Sequence, residues 1–138
     1  MRYSLFEQQK DSLLLVARVL LVVLFVFFGW EKMTGFSGTV SYMASTGIPT
    51  PTLAALIAVI MELVVGVAIL LGYFTRPLAM LLALYTLASG IVGHHYWTMA
   101  AGAEHYDMMI HFYKNVSITG GLLVLTAAGP GKFSIDGR

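Results

Sequence analysis

A handful of residues in this chain are of types that do chemistry, and they stand where such types are rare. Arg18, Lys32, Glu62, His94, Lys114 and Asn115 each lie inside or at the edge of a long apolar run. A carboxylate among apolar neighbours must be protonated or face a cation. Glu62 is the deepest of the set, too deep for its side chain to reach an aqueous surface. Paired with a cation it can relay protons or fix a polar ligand atom. Ionisable groups at such depth default to functional sites, although a buried ion pair can also serve only to set helix register. The four histidines, His94, His95, His105 and His111, crowd into one short stretch with Glu104 and Asp107. A metal site on that side would need three or four ligands to converge, with His94, His95 and His111 as the set. Adjacent His94 and His95 point to different faces of a helix, which favours a polar rim instead. There is no cysteine, so thiol redox chemistry and thiolate metal centres are excluded. The sequence also lacks a glycine-rich phosphate loop and a GxSxG nucleophile elbow.

The elements that must position these residues follow from composition. The chain has 138 residues, 58% apolar and only 11% charged, with mean hydropathy +0.81. Soluble domains average roughly 45–50% apolar and about 25% charged. Too few polar residues are present to cover a water-soluble globule. A formal net charge of +1 excludes a nucleic-acid binder, and the apolar content excludes disorder. An integral membrane protein remains, and each crossing helix needs about 20 apolar residues.

Four apolar segments qualify. The first runs Leu13 to Trp30, broken by Arg18, and reads as an uncleaved span because no signal-peptidase-like site follows it. The second runs Thr52 to Phe74, broken by Glu62, and the third runs Pro77 to Gly93 without a charge. The fourth is too short from Val116 alone, so it must begin near Met108 and carry His111, Lys114 and Asn115. The expectation is an all-α membrane protein, a four-transmembrane-helix bundle forming a single domain over residues 1–138. Its helices should cover about 13–32, 52–74, 77–96 and 108–128. A short helix around TVSYMAS is expected in the connection from Glu31 to Pro51. With the N-terminus inside, Arg2, Lys10, Arg18, Arg76, Lys132 and Arg138 fall inside and Lys32 and Lys114 outside. The positive-inside rule therefore predicts both termini inside, N-in/C-in.

Helical rise places Arg18 at roughly 9 Å from the inner boundary, Glu62 near 15–18 Å and Lys114 near 22 Å. Arg18 or Lys114 is thus the expected partner of Glu62, with Lys32 and His94 toward the outer mouth. Small and polar residues share one face of each helix: Arg18, Val22, Phe25, Gly29 and Lys32 on the first, Ala55, Ala58, Glu62, Gly66 and Tyr73 on the second. Ala79, Ala83, Thr86, Gly90 and His94 do so on the third, and Lys114, Ser117 and Gly121 on the fourth. Such faces pack against one another in membranes, so these stripes should turn inward around Glu62.

An ordered set of motifs resembles the DoxX family of small bacterial membrane proteins. It comprises Arg18, then FGWEKMTGF with Gly29, Lys32 and Gly35-Phe36, then GIPTP. It continues through MELVVGVAILLGYFTRP, with Glu62, Gly66, Gly72, Thr75 and Arg76, to the terminal GPGKFSID. GFSGTVSYMASTGIPTP, IVGHHYW and FYKNVSITG are similar to its YphA-like inner-membrane branch. The resemblance implies a four-helix, multi-pass protein of the bacterial inner membrane, with the family's polar pattern on Arg18, Lys32, Glu62 and Arg76. It also implies a link to quinone-dependent oxidation, since the family is named from a subunit associated with such a reaction. The absence of cysteine departs from any member that uses thiol exchange.

Three functional readings follow. In the first, the bundle holds a quinone-like or other small amphipathic ligand near Glu62, Lys32 and Lys114 in a redox-linked role, beside a membrane redox partner or in a homo-oligomer. In the second, the chain is a non-enzymatic accessory or assembly subunit. In the third it transports a small solute, which four helices would accomplish only as a dimer.

Overall fold

The computed structural model describes residues 6–137, and the described residues form helices joined by short connections. A single 3₁₀ turn, Glu7–Gln9, leads into α1, Lys10–Thr34. Then come a short α2, Phe36–Ser45, and α3, Pro51–Leu71. Last are α4, Thr75–Gly93, and α5, Ala103–Ala128. The segments Glu7–Thr34, Pro51–Leu71 and Thr75–Thr98 are long and apolar enough to cross a membrane. The fourth expected span exists as a helix of 26 residues, about 39 Å long, but its first half is more polar than those three. It begins five residues earlier than the apolar pattern suggests, with Glu104 in its first turn, where a carboxylate favours the helix dipole.

The exterior is apolar and the interior holds the polar and small residues. Leu20 is 68% exposed and Val124 69%, whereas Arg18 and Thr86 are each 2% exposed. No soluble protein would leave so continuous an apolar surface uncovered. The buried face of α1 is Arg18, Val22, Phe25 and Gly29, as its stripe predicts. Ala55, Ala58, Ala79 and Ala83 line the inner faces of α3 and α4, letting backbones approach closely. Tyr73 departs from its predicted stripe: α3 has already ended, and the ring is 49% exposed.

The helices α1 and α3 approach closely at Gly29. A Cβ there would lie 2.6 Å from the Leu63 nitrogen and 2.9 Å from the Glu62 carbonyl carbon. Opposite it, α3 widens into a π-helical segment, Ile60–Val65. Such widened turns displace side chains from their regular helical positions and are frequent at functional sites. Glu62 sits in this turn, and no periodicity in the sequence announces it.

One end of the bundle is closed by the C-terminal tail. Helix α3 stops at Gly72, which adopts φ 73°, and the Tyr73 N–H reaches back to the Ala68 carbonyl at 2.9 Å, a Schellman ending. The tail then lies along this turn. Ile135 and Asp136 donate their N–H groups to the carbonyls of Leu71 and Gly72 at 3.1 and 2.8 Å. The Asp136 carboxylate accepts from the Phe74 and Thr75 nitrogens at 3.0 and 2.9 Å, so the tail caps α4 and holds Phe74 in its left-handed conformation, φ 47°. Arg76 caps the other helix by donating to the Thr126, Ala127 and Ala128 carbonyls, the shortest at 2.6 Å.

Arg18 belongs to this closure and not to the Glu62 site, which corrects the sequence expectation. Its guanidinium donates to the carbonyls of Leu70 at 3.2 Å, Pro130 at 2.7 Å and Phe133 at 2.7 Å. A planar fork of donors suits three fixed carbonyls, and these bonds hold the guanidinium at the tail rather than at Glu62.

The Gly29 contact is directly testable. Gly29→Ala must push α1 off α3 and should destabilise the protein by about 1–3 kcal/mol. Gly38→Ala, in α2 with nothing within 4 Å of the added carbon, should instead be neutral or stabilising by about 0.5–1 kcal/mol. Thermal unfolding in mild detergent compares the two, and equal midpoints would remove the packing argument.

Candidate functional site

Above the tail closure the helices separate around a cavity of about 760 Å³, roofed by α2. Its walls are apolar, including Leu24, Phe25, Phe28, Ile57 and Ile118, with a seam of polar groups running through them. Five of the six sequence-predicted site residues line it: Lys32, Glu62, His94, Lys114 and Asn115. Arg18 does not.

Glu62 forms the floor. Lys32 Nζ donates to one carboxylate oxygen at 2.7 Å, and the Tyr85 hydroxyl donates to the other at 2.8 Å. The side chains of Lys32 and Glu62 are 28% and 12% exposed, so the pair is largely withdrawn from its surroundings. Each carboxylate oxygen thus has its own donor. Lys32 also lies 5.7 Å from the centre of the Phe28 ring. Its ammonium has three protons, one of them spent on Glu62.

The pairing corrects the expected one with Arg18 or Lys114. Depths counted from helical rise hold only where every span starts at a common boundary. Helix α1 instead extends beyond the α3–α4 turn, and Arg18 Nη1 comes within 3.0 Å of where a Gly72 Cβ would be. That shift sets Gly29 level with Leu63, leaving Lys32 one turn above Glu62, within reach of it.

Tyr85 is the functional residue that sequence reasoning missed. A signal was available: membrane tyrosines gather at the interfaces, whereas Tyr85 stands mid-helix beside Thr86 on the small-residue face. A buried hydroxyl in such a place needs a partner.

Asn115 ties α5 to α4. Its amide donates to the Thr86 carbonyl at 3.2 Å and to Ser89 Oγ at 3.3 Å, close to Gly90, where a Cβ would lie 3.1 Å from the Asn115 Cβ. Higher up, the His94 and His111 rings stack with centroids 5.1 Å apart. Lys114 Nζ is 3.1 Å from His111 Nδ1, and His111 Nε2 is 3.6 Å from Asp107 Oδ2. His94 Nδ1 is buried without a hydrogen-bond partner among the described residues. His95 turns away, its Nδ1 2.9 Å from the Val92 carbonyl. The proposed metal set of His94, His95 and His111 therefore does not converge, and no group of three or more His, Asp or Glu suited to a metal occurs among the described residues. His94 and His95, as neighbours, leave the helix end in different directions.

Removing one partner of the floor pair separates its attraction from its desolvation. Lys32→Met leaves Glu62 buried without its cation and should cost about 3 kcal/mol of stability. Adding Glu62→Leu should recover most of that loss, because two apolar groups then replace two charges. A double-mutant cycle by chemical unfolding in detergent measures both, and additive losses would show that the two side chains are energetically independent.

Comparison with known proteins agrees with this architecture. The DoxX family pattern matches residues 13–95. The chain is 51% identical to inner membrane protein YphA of Escherichia coli over 138 residues, covering 100% of this chain and 98% of that protein. It is 38% identical to inner membrane protein YqjF of the same organism over 130 residues, covering 94% of each. More distantly, it is 25% identical to the yeast ER-derived vesicles protein ERV29, covering 94% of this chain but 34% of that one. No solved structure matches. A family pattern that takes in α1, α3 and α4, with two full-length inner-membrane relatives, leads to one conclusion: this chain belongs to the DoxX family, as a multi-pass protein of the bacterial inner membrane.

Proposed function

We propose that this protein holds a small amphipathic, quinone-like ligand within its helix bundle, in a redox-linked role. The observation that carries the reading is an apolar cavity of about 760 Å³ whose polar floor is Glu62 with both oxygens already bonded. Ligand sites are typically concave and apolar with a few placed polar groups, at roughly 300–1,000 Å³.

A quinone supplies ring carbonyls that accept hydrogen bonds and electrons. Lys32 would hold one such oxygen with the ammonium protons that Glu62 does not take. Glu62 and Tyr85 fix the direction of that ammonium. Phe25, Phe28 and Met108 would flank the ring. With no cysteine in the chain, electrons and the protons that accompany them are supplied by a membrane redox partner, and these residues contribute position and hydrogen bonds.

Four crossings with both termini inside belong to the same proposal. The tail closure brings the end of α5 to the same end of the bundle as Arg18 and the α3–α4 turn, which fits α5 as a fourth antiparallel crossing. The basic residues outside the spans agree. The cavity lining reaches down to Glu62, Tyr85 and Ile118 and, on α1, to Leu24 and Phe25, but not to Arg18. Below it the tail seals the bundle, an arrangement that favours retaining a ligand over passing a solute through.

Decylubiquinone titrated into the protein in phosphatidylcholine nanodiscs should bind saturably, and Glu62→Gln should weaken it about tenfold by releasing Lys32 from its fixed position. No saturable binding to the folded wild-type protein would overturn the ligand reading. Orientation is checked with single cysteines in the cysteine-free chain. Lys10→Cys and Lys132→Cys should be protected from an impermeant thiol reagent in intact cells, and Gly102→Cys labelled.

A further inference from the structure

The mouth of the cavity carries information that its floor does not. Glu62 is answered by Lys32 and Tyr85, and Asp107 faces His111 with a side chain 71% exposed to its surroundings. Lys114 is different: its Nζ has no carboxylate within 4.0 Å among the described residues, and the neighbour it does have, His111 Nδ1 at 3.1 Å, is itself a nitrogen. Its remaining N–H groups are available to an acceptor. Beside it, His94 Nδ1 is buried without a partner, in a ring stacked on His111. All three residues line the cavity. Buried polar nitrogens are normally satisfied, so His94 Nδ1, with the exposed Lys114 ammonium beside its stacked partner His111, outlines a place for an oxygen-bearing ligand atom.

We propose that the cavity mouth is an anion site, and that the amphiphile held in the cavity carries, beyond its ring or chain, an acidic group bound there by Lys114 with His94 and His111. The proposal rests on the reading of this cavity as a ligand site and names the chemical class it selects. From the headgroup, an apolar body would extend along Phe28, Ile57, Met108 and Ile118 toward Tyr85, about 13 Å deeper along α4. A cationic headgroup would meet Lys114 at the rim and Lys32 below it, with the one carboxylate of the floor already taken. A neutral headgroup would leave the Lys114 ammonium unanswered.

Access is consistent with such a ligand. Lys114 also edges a shallow groove of about 330 Å³ on α5, lined by Tyr106, Met109, Ile110, Tyr113 and Ser117. The lysine thus stands between the cavity and an aromatic groove on the helix surface. An amphiphile dissolved in the membrane can present its headgroup to Lys114 before its chain enters.

Matched probes test the class. Decanoate, decanol and decylammonium are titrated by calorimetry into the full chain in phosphatidylcholine nanodiscs. Decanoate should bind about tenfold more tightly than decanol, the scale of one charge-assisted contact, and decylammonium most weakly. Lys114→Gln should reduce decanoate to the affinity of decanol while leaving decanol unchanged, and Lys114→Arg should keep the preference. Unchanged decanol binding also shows that the variant is folded. Equal affinity of decanoate and decanol in wild type, or a preference that survives Lys114→Gln, overturns the proposal while the cavity reading stands. No binding of any probe, decylubiquinone included, overturns both. Nanodiscs containing phosphatidylglycerol distinguish the source of the acid. Competition with decanoate identifies a membrane lipid and its absence a free acid, and either supports an anion site.

Discussion

Hydrocarbon offers no hydrogen bonds, and this constraint governs the whole structure. Every N–H, carbonyl or charge at membrane depth must find its partner within the chain. The apolar side chains, which in water would form a core, are free to face outward. The few polar ones must gather. They do so in two places: around Arg18 and the tail at one end, and around Glu62 higher in the bundle. Both clusters use the same chemistry, a charged group answered by fixed donors or acceptors, with different consequences.

At the closed end the charged side chains are all answered, although the buried Thr75 hydroxyl has no hydrogen-bond partner among the described residues. Arg18 and Arg76 donate to carbonyls that the ends of α3 and α5 leave over, and Asp136 accepts from the first nitrogens of α4. Backbone groups at helix ends are the natural debtors of a membrane fold, and side chains here settle them without water. In the cavity the polar groups are only partly answered. Glu62 has its two donors, but Lys32 and Lys114 keep protons and His94 keeps an unpartnered nitrogen. Charges answered by backbone make a strut, and polar groups only partly answered beside an apolar cavity support the proposed ligand site.

How much of this could be read from the residues depends on the range of the interaction. Faces defined by helical spacing were legible, so the buried stripe of α1 and the small-residue faces of α3 and α4 are where the pattern puts them. Membership of the polar site was largely legible too, since a charge or amide inside an apolar run has few places to go. Pairing was not. Lys32 meets Glu62 because α1 slides along α3 until Gly29 fits against Leu63, and that register depends on contact between distant segments. The role of Arg18 was hidden for the same reason: its partners are backbone carbonyls of a tail more than a hundred residues away, and backbone acceptors carry no residue identity. The π-turn at Glu62 and the Tyr85 hydroxyl bond arise from that same fit.

The energetics of the floor pair bear on why it exists. Taking a lysine and a glutamate into low dielectric costs more than their attraction reliably returns, and apolar replacements of similar volume are often as stable or more so. A bundle selected for stability alone would fill the space between α1, α3 and α4 with leucine, as α4 and α5 do around Leu82 and Leu122, each fully buried. Instead the chain widens α3 by a π-turn, brings α1 in over a glycine and forms a cavity of about 760 Å³ next to the ion pair. Each of these features lowers stability on its own. They have a common rationale if the ammonium of Lys32 is to be held at a fixed angle at the bottom of a space that something else fills, because a donor positioned before its ligand arrives spends no binding energy on reorganisation.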